Sequence, residues 1–538
     1  MMFAEDKFLQ IRDKQEVWQR YCGFLDLSVE DFMEIQENLL LDQINLIADS
    51  SLGRKMMKGQ RPSSVEEFRK IIPLTKYNDY IPYLSKGQED FLAKKPYYWV
   101  HTSNTKGTFK RVPWNYEFHK VQLRNIVAAL ILASATQKKE IRVEPGCRIL
   151  ALLPKRPFVS AQLAFGLVKE FSAKAVPPLE IYEGLPFPQK IRAALRLSMS
   201  TNIDYVVSMT STFVPMQREF RRMMEEQTLF SRLPKLHPAV SLRLLGSYLS
   251  KIFKQNRTLL PKNLWAIKGI VVWGADSDAF RDTIQEQWGK TPFQFYGSSE
   301  SGLIAMQDWR KDKMTFLPDS VFLEFIPEEE INREDGTFTV LIDKVEEGKL
   351  YEPVITSFYG MPFLRYRQGD LIKVVSSNNR KTANTLPQVT FHSRADDVID
   401  LFGIARLNTE TLSEALKLTG IAYGDWAMRK EYKNGKLILE LYVESGNRTQ
   451  PADLERHLHK KLKYLDSHYR EAIYITAYNP VSVIPLHKGT FQRYSREKRE
   501  DNNAPDLFKL QRMNLSDSVA RELIQMGLFR KLLVDQKD

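Results

Sequence analysis

The 538-residue chain has two cysteines, Cys22 and Cys147, and no CxxC pair. A disulfide framework is therefore excluded, as is a cysteine-based zinc cluster, which needs closely spaced thiolates. Both thiols are expected in the core. Long apolar runs are also missing: the longest, IVAALILASA at residues 126 to 135, falls well short of the roughly 20 residues that a spanning helix needs. It reads as a buried helix, and no membrane partner is expected. The opening MMFAEDKFLQIRDKQEVW lacks the apolar core and cleavage site of a secretory signal, so the expected location is cytoplasmic. The formal charge of +12 is spread along the chain without a dense basic cluster or a nucleic-acid motif. An anionic small substrate fits that pattern, and nucleic acid does not.

What is present describes a folded protein. Hydrophobic residues make up 43% and charged residues 27% of the chain, which excludes wholesale disorder. The length exceeds one ordinary core, so a large domain plus a smaller one is expected. Residues 1 to about 60 carry helical spacing, as in Phe32, Ile35, Leu39 and Leu40, and the proline-punctuated PLTKYNDYIPYL follows at 73 to 84. Four short apolar runs read as buried strands: RILALLP (148 to 154), DYVVSM (204 to 209), IKGIVVWG (267 to 274) and PFQFYGSS (292 to 299). Helical patterns such as PFVSAQLAFGLVKEF and DAFRDTIQEQW lie between them. This alternation implies an α/β architecture with a largely parallel sheet. After about residue 390 the pattern changes. Asn434-Gly435 between WAMRKEYK and KLILELYVE is a hairpin signal, and Leu454, Leu458, Leu462 and Leu465 stripe one helix face. The expected domains are 1–392, a small α+β domain at 393–500, and a linker with a helical extension at 501–538.

Four polar stretches fall in turns after or between the strand-like runs. TSNTKGTFK offers Thr102, Ser103, Thr105 and Gly107, with Lys106 and Lys110 as cations. Small residues let backbone N–H groups converge on phosphate oxygens, and hydroxyls and cations add to the grip. The same residue types also dominate ordinary turns. FQFYGSSESG ends an apolar strand in Tyr296, Gly297, Ser298, Ser299 and Glu300. An aromatic face can stack on a base, and a carboxylate at a strand end can hold Mg²⁺ beside phosphates. Ser301 stands where the last glycine of a GxSxG nucleophile elbow would be, which disfavours a serine hydrolase. PFLRYRQGDLIKVV contains Tyr366, Arg367, Gly369 and Asp370; RQGD reads either as a hairpin turn or as a site whose Asp accepts ribose hydroxyls. FHSRADDVIDLFG places Arg394, Asp396 and Asp397 at the inferred domain boundary, as a charged linker or as a site.

The order of these stretches resembles the adenylate-forming superfamily, and within it the Gretchen Hagen three family of acyl-acid amido synthetases. Tyr296 to Glu300 and Tyr366 to Asp370 match two of that family's three nucleotide motifs without a mismatch, and TSNTKGTFK matches the third in part. PLTKYNDYIPYL, LLPKRPFVSAQLAFGLVKEF, YEPVITSFYGMPFLRYR and LHKKLKYLDSHYREA extend the likeness over nearly the whole chain. The resemblance implies a large N-terminal adenylate-forming domain and a small mobile C-terminal one. It implies that ATP and a carboxylic acid bind the large domain, with Mg²⁺, and that an acyl-adenylate forms and passes its acyl group to an amine or thiol. An acidic acyl-carrier protein is one acceptor that the basic surface would suit. Carried over by position, Tyr296 would stack on adenine, Ser299 would contact phosphate, Glu300 would hold Mg²⁺ and Asp370 would bind ribose. Gly274 and Ala275 would line the adenine and acyl site. Arg394 would touch the nucleotide, and Asp396 would sit at the hinge of the small domain.

The chain departs from the family pattern in its first loop, where Asn104 replaces a glycine and one residue is missing between Thr105 and Gly107. Asparagine tolerates positive φ, so the replacement is compatible with the same backbone path. The deletion removes up to about 3.5 Å of reach, more than a hydrogen bond can stretch. Lys106 either replaces lost donors with a direct phosphate contact or points to water. Ser393 stands for a glycine before Arg394, and Lys488 is expected as a surface lysine. The shortened loop also suits a second reading, a nucleotide- or acyl-binding homologue that has lost adenylation and serves as a partner or scaffold.

Overall fold

A computed structural model describes residues 13–85, 87, 89–102, 110–225, 236–253, 259–274, 277–331, 338–376, 386–394, 398–402, 404–445, 450–501 and 512–527. The chain divides into two compact units. One extends as far as His392, and the other holds the chain from Ser393 onward.

The first unit is built on a 12-stranded mixed sheet. Strands Lys174–Val176, Arg148–Leu152, Tyr205–Met209, Gly269–Trp273 and Phe293–Ser298 lie side by side and run parallel. Four of these are the apolar runs of the sequence, which are nearly continuous because parallel strands are covered on both faces. Helix Tyr116–Ser134 covers one face, with Asn115 capping its first turn and residues 125 to 134 all buried. It sits so close to strand Gly269–Trp273 that a Cβ on Gly269 would lie 2.9 Å from the Ala133 carbonyl, which requires glycine there.

From Phe293–Ser298 onward the sheet turns antiparallel, through Gly302–Gln307 and Met314–Phe316 to Gln388–Arg394, and on to Asp370–Ser376, Leu350–Ser357 and Val321–Pro327. Helix Val29–Ile47 packs behind this half. Its Leu40, Ile44 and Ile47 share a core with Phe68, Phe322, Phe358 and Leu364. Gln36 completes the junction: its amide donates to the Val321 carbonyl (2.7 Å) and accepts from the Leu323 N–H (2.8 Å). Those backbone groups would otherwise be unpaired at the margin of the sheet.

RQGD is not a hairpin turn. Tyr366 and Arg367 pair with Ile355 and Val354, and Ile372 and Lys373 pair with Tyr351 and Leu350, so both segments follow one ladder along Leu350–Ser357. Gln368 and Gly369 form a bulge in it, with Gly369 at φ 73°. Bulges of this kind re-aim the side chains that flank them.

The second unit is α+β. Strands Tyr423–Lys433 and Lys436–Ser445 form a hairpin through Asn434 (φ 51°) and Gly435 (φ 70°), the two positive angles that a tight hairpin turn demands. Val481–Leu486 adds a parallel third strand. Helix Pro451–Leu465 buries Leu454, Leu458 and Leu462, while helix Asp517–Gly527 places Ala520 and Leu523 against Leu486, Phe491 and Tyr494. Both cysteines are buried free thiols. Among the described residues no helix is long and apolar enough to cross a membrane.

Candidate functional site

Strand Phe293–Ser298 turns through Ser299, Glu300 and Ser301 into Gly302–Gln307, and the turn is tied internally. The Ser298 N–H donates to Ser301 Oγ (3.0 Å), and the Ser301 N–H donates to Ser298 Oγ (3.2 Å). Gly297 is obligatory, because a Cβ there would lie 2.0 Å from the Gly302 carbonyl oxygen. Gly302 adopts φ 63°, and Gln122 from the covering helix crowds it and accepts from the Leu303 N–H (2.7 Å). A rigid turn therefore presents Glu300.

Strands Tyr98–Thr102 and Lys110–Trp114 form an antiparallel hairpin, with Thr102 opposite Lys110. Residues 103–109, most of the polar loop, connect them. Trp114 joins this hairpin to the Glu300 turn by donating from Nε1 to the Ser299 carbonyl (2.8 Å). Lys110 then reaches the carboxylate. Its Nζ lies 3.3 Å from Glu300 Oε1, 3.2 Å from the Tyr366 hydroxyl and 5.0 Å from the centre of the Tyr77 ring. Tyr366 donates to the same Glu300 oxygen at 2.8 Å. The Glu300 side chain is 7% exposed and that of Lys110 23%, so the pair is largely withdrawn from water and its mutual attraction is only partly screened. Burial raises the Tyr77 phenol above its ordinary pKa and keeps that ring neutral beside the ammonium.

A second bond runs the opposite way between the same two motifs: Tyr296 donates to Asp370 Oδ2 at 2.9 Å. Both residues are buried, and Phe391 packs 6.2 Å from the Tyr296 ring. The bulge that carries Asp370 is braced on its far side, where Glu352 takes Arg367 in a forked pair and accepts from the Gly369 N–H (3.2 Å). Just before it, Arg365 stands at φ 41°, an angle few side-chain-bearing residues adopt. Its guanidinium holds Glu324 (2.9 Å) and the carbonyls of Arg69 (2.7 Å) and Ile72 (2.6 Å). Tyr366 is thus over-determined in position.

The structure therefore gathers Lys110 and Glu300, joins Tyr296 to Asp370, and sets Gly297 and Ser298 at the strand end with Ser299 in the turn that follows. Gly274, at φ 131°, follows strand Gly269–Trp273, and its carbonyl accepts from Ser277 Oγ (2.7 Å). Thr102 is placed by its backbone only. Ser103, Thr105, Lys106, Gly107, Ala275 and Asp396 lie outside the described residues, as does Asn104. Arg394 is the last residue of its strand, half-buried, and lies in the second unit one residue past its boundary at Ser393. Lys488 is exposed in a turn of that unit.

Four contributors were assigned no role from the sequence: Tyr366 lay within one of the four polar stretches, and Tyr77, Trp114 and Gln122 lay outside them. A fifth is His119, 2% exposed, whose Nδ1 meets the Tyr98 hydroxyl at 2.6 Å. Burial, with help from Lys120 and Lys169, lowers its pKa to about 4. Glu170 lies 3.5 Å from Nε2. His119 is accordingly a neutral packing group beneath the hairpin.

Chemically, one carboxylate beside one lysine, with a second carboxylate, Asp370, bonded to Tyr296 on the strand that leads into the same turn, suits a phosphorylated ligand bearing vicinal hydroxyls. Among the described residues no group of three or more His, Cys, Asp or Glu could hold a resident metal. Glu300 alone fits Mg²⁺ that arrives with phosphate ligands, because that ion is usually held by one or two carboxylates together with phosphate oxygens and water.

Residues 22–152 match the GH3 family N-terminal domain, and residues 314–394 match the GH3 family central domain. A jasmonoyl–L-amino acid synthetase, GH3.5 of Oryza sativa subsp. japonica, is 22% identical over 570 aligned positions, 94% of this chain and 96% of the relative. Four other curated GH3 relatives are 29% to 34% identical over shorter stretches, and the chain spans only 17% to 37% of their length. Among solved structures, the acyl acid amido synthetase AtGH3.15 in complex with 2,4-DB superposes with a TM-score of 0.57 at 16% identity, covering 98% of each chain. A 2-hydroxyisobutyryl-CoA ligase with its acyl-AMP and CoA gives 0.56 at 15%, covering 98% of this chain and 97% of the other. At such identities the likeness establishes the fold.

Proposed function

We propose, from the premise that this is a GH3-like chain with the fold of adenylate-forming enzymes, that it is an ATP-dependent ligase activating a carboxylic acid. The acid's oxygen attacks the α-phosphate, pyrophosphate leaves, and an amine then attacks the acyl carbon and releases AMP. The amine is the favoured acceptor because the one of these curated relatives that aligns over most of the chain, and the amido synthetase structure, are named for it. A thiol is the second candidate, by likeness to the CoA ligase.

The observation that carries this reading is the convergence of Lys110, Glu300 and Tyr366 from three separate stretches. In it Lys110 screens the phosphates and steadies charge on the transferring group. Tyr296 offers its ring to adenine, Asp370 its oxygens to ribose and Ser299 a hydroxyl to phosphate, with Gly274 at the rim where the acyl group lies. Mg²⁺ held at Glu300 would neutralise phosphate charge so that a carboxylate can approach a polyanion. Arg394 is assigned a contact to the nucleotide.

ATP–pyrophosphate exchange across a panel of aryl and fatty acids tests the proposal. Acid-dependent exchange is expected, and product analysis with amino acids or CoA then distinguishes the acceptors. A folded sample that exchanges with no acid on a broad panel overturns it.

A further inference from the structure

We infer that Tyr366 is a positioning residue for Glu300, and that its hydroxyl sets how strongly nucleotide binding depends on Mg²⁺. The inference rests on the ligase reading above. Two donors share one oxygen of Glu300: the Tyr366 phenol at 2.8 Å and the Lys110 ammonium at 3.3 Å. They differ in what an incoming nucleotide does to them. Lys110 is a long, partly exposed side chain, and a triphosphate offers its charge a stronger partner than one carboxylate. Tyr366 is an uncharged, buried phenol, which phosphate attracts far less strongly than an ammonium.

Its ring is 3% exposed and packs edge-on against Tyr80, with Phe363 5.0 Å away. Its backbone is clasped by Thr75, which donates to the Arg365 carbonyl and accepts from the Arg367 N–H, both at 2.9 Å. Arg365, immediately before it, is pinned by Glu324 and two carbonyls. When Lys110 turns to phosphate, the phenol remains and keeps the carboxylate plane fixed. Its neutrality matters. A second cation at this place would cancel the charge that attracts the metal, whereas a phenol orients the carboxylate and leaves its charge intact. Lys110 is then the exchangeable partner of Glu300, and Tyr366 the permanent one.

Calorimetry of ATP binding to the full chain, across a Mg²⁺ series and in EDTA, tests this. Tyr366→Phe keeps the ring and removes the hydroxyl, and a thermal melt within a few degrees of wild type confirms the fold. The Mg²⁺ concentration that half-saturates the metal-dependent gain in affinity should rise roughly tenfold, the worth of one charge-assisted hydrogen bond. Affinity in EDTA should stay as in wild type. In a Glu300→Gln background the same substitution should add no further shift. An unchanged Mg²⁺ dependence, or an equal fall of affinity in EDTA, overturns the inference while leaving the ligase reading standing. A wild-type protein that binds no ATP overturns both.

Discussion

The Tyr296 hydroxyl donates to Asp370 at 2.9 Å, across 74 positions of chain, and so ties the residue proposed to hold adenine to the one proposed to hold ribose. The reverse link, Tyr366 to Glu300 at 2.8 Å, spans 66 positions. Each motif supplies a phenol to the carboxylate of the other. Two turns that would drift independently as loops are thereby fixed as one surface, and fixed geometry is what a phosphate-activating site needs, since small displacements at reacting atoms cost rate heavily.

Removing the first link should weaken nucleotide binding specifically. Tyr296→Phe retains the aromatic face and deletes one hydrogen bond to a carboxylate, a loss of ~1.5 kcal/mol. The ATP dissociation constant should rise about tenfold by that measure, with thermal stability little changed. Unaltered ATP affinity in a folded variant would show that the bond does not position Asp370.

The Glu300 turn permits no side chain at Gly297. A Cβ there would sit 2.0 Å from the Gly302 carbonyl oxygen, backbone that cannot swing aside. Gly297→Ala should displace the turn by something approaching an ångström and reduce pyrophosphate exchange by about 100-fold or more. Near-normal exchange would mean that the turn relaxes without moving Glu300.

Arg365 and Glu324 form a buried ion pair, 3% and 1% exposed. Truncating one partner strands the other charge away from water, so Arg365→Ala should cost about 3–5 kcal/mol in denaturant unfolding. A cost under about 1 kcal/mol would show that Glu324 is rescued by Arg69 alone, which already contacts it at 3.1 Å.

His119 predicts a pH dependence of stability. Its folded pKa of about 4 lies below the ordinary 6.5, so between those values the unfolded chain binds the extra proton. Stability from this group is complete above pH 6.5 and is lost as pH falls towards 4, by ~3 kcal/mol at most. Urea unfolding of the wild type and of His119→Gln at pH 7 and pH 5 checks it. The wild type should lose more stability than the variant, and parallel losses would rule the assignment out.

Much of the first unit was legible because its chemistry is local. A parallel strand covered on both faces must be apolar along its length, and RILALL, YVVSM and GIVVW declare themselves for that reason. Asn434-Gly435 encodes its hairpin in two residues that accept positive φ. The antiparallel half was harder to read, since its strands are held by partners such as Gln36 and Val321, 285 positions apart. RQGD shows the limit clearly. A glycine after a polar pair looks like a hairpin turn, and only pairing with Leu350–Ser357 reveals a bulge in one continuous ladder.

The sequence by itself determined which residues are candidates for the proposed chemistry, because hydroxyls, a glycine, a lysine and two carboxylates in strand-end turns are what phosphate and ribose binding would need, and these are written in single short segments. The tertiary structure alone decided how they are paired. Lys110, Glu300 and Tyr366 meet only because a hairpin, a serine-laced turn and a bulged strand are packed onto one sheet, and the hydrogen bonds between them act over about 3 Å while their separation along the chain carries no trace of that distance.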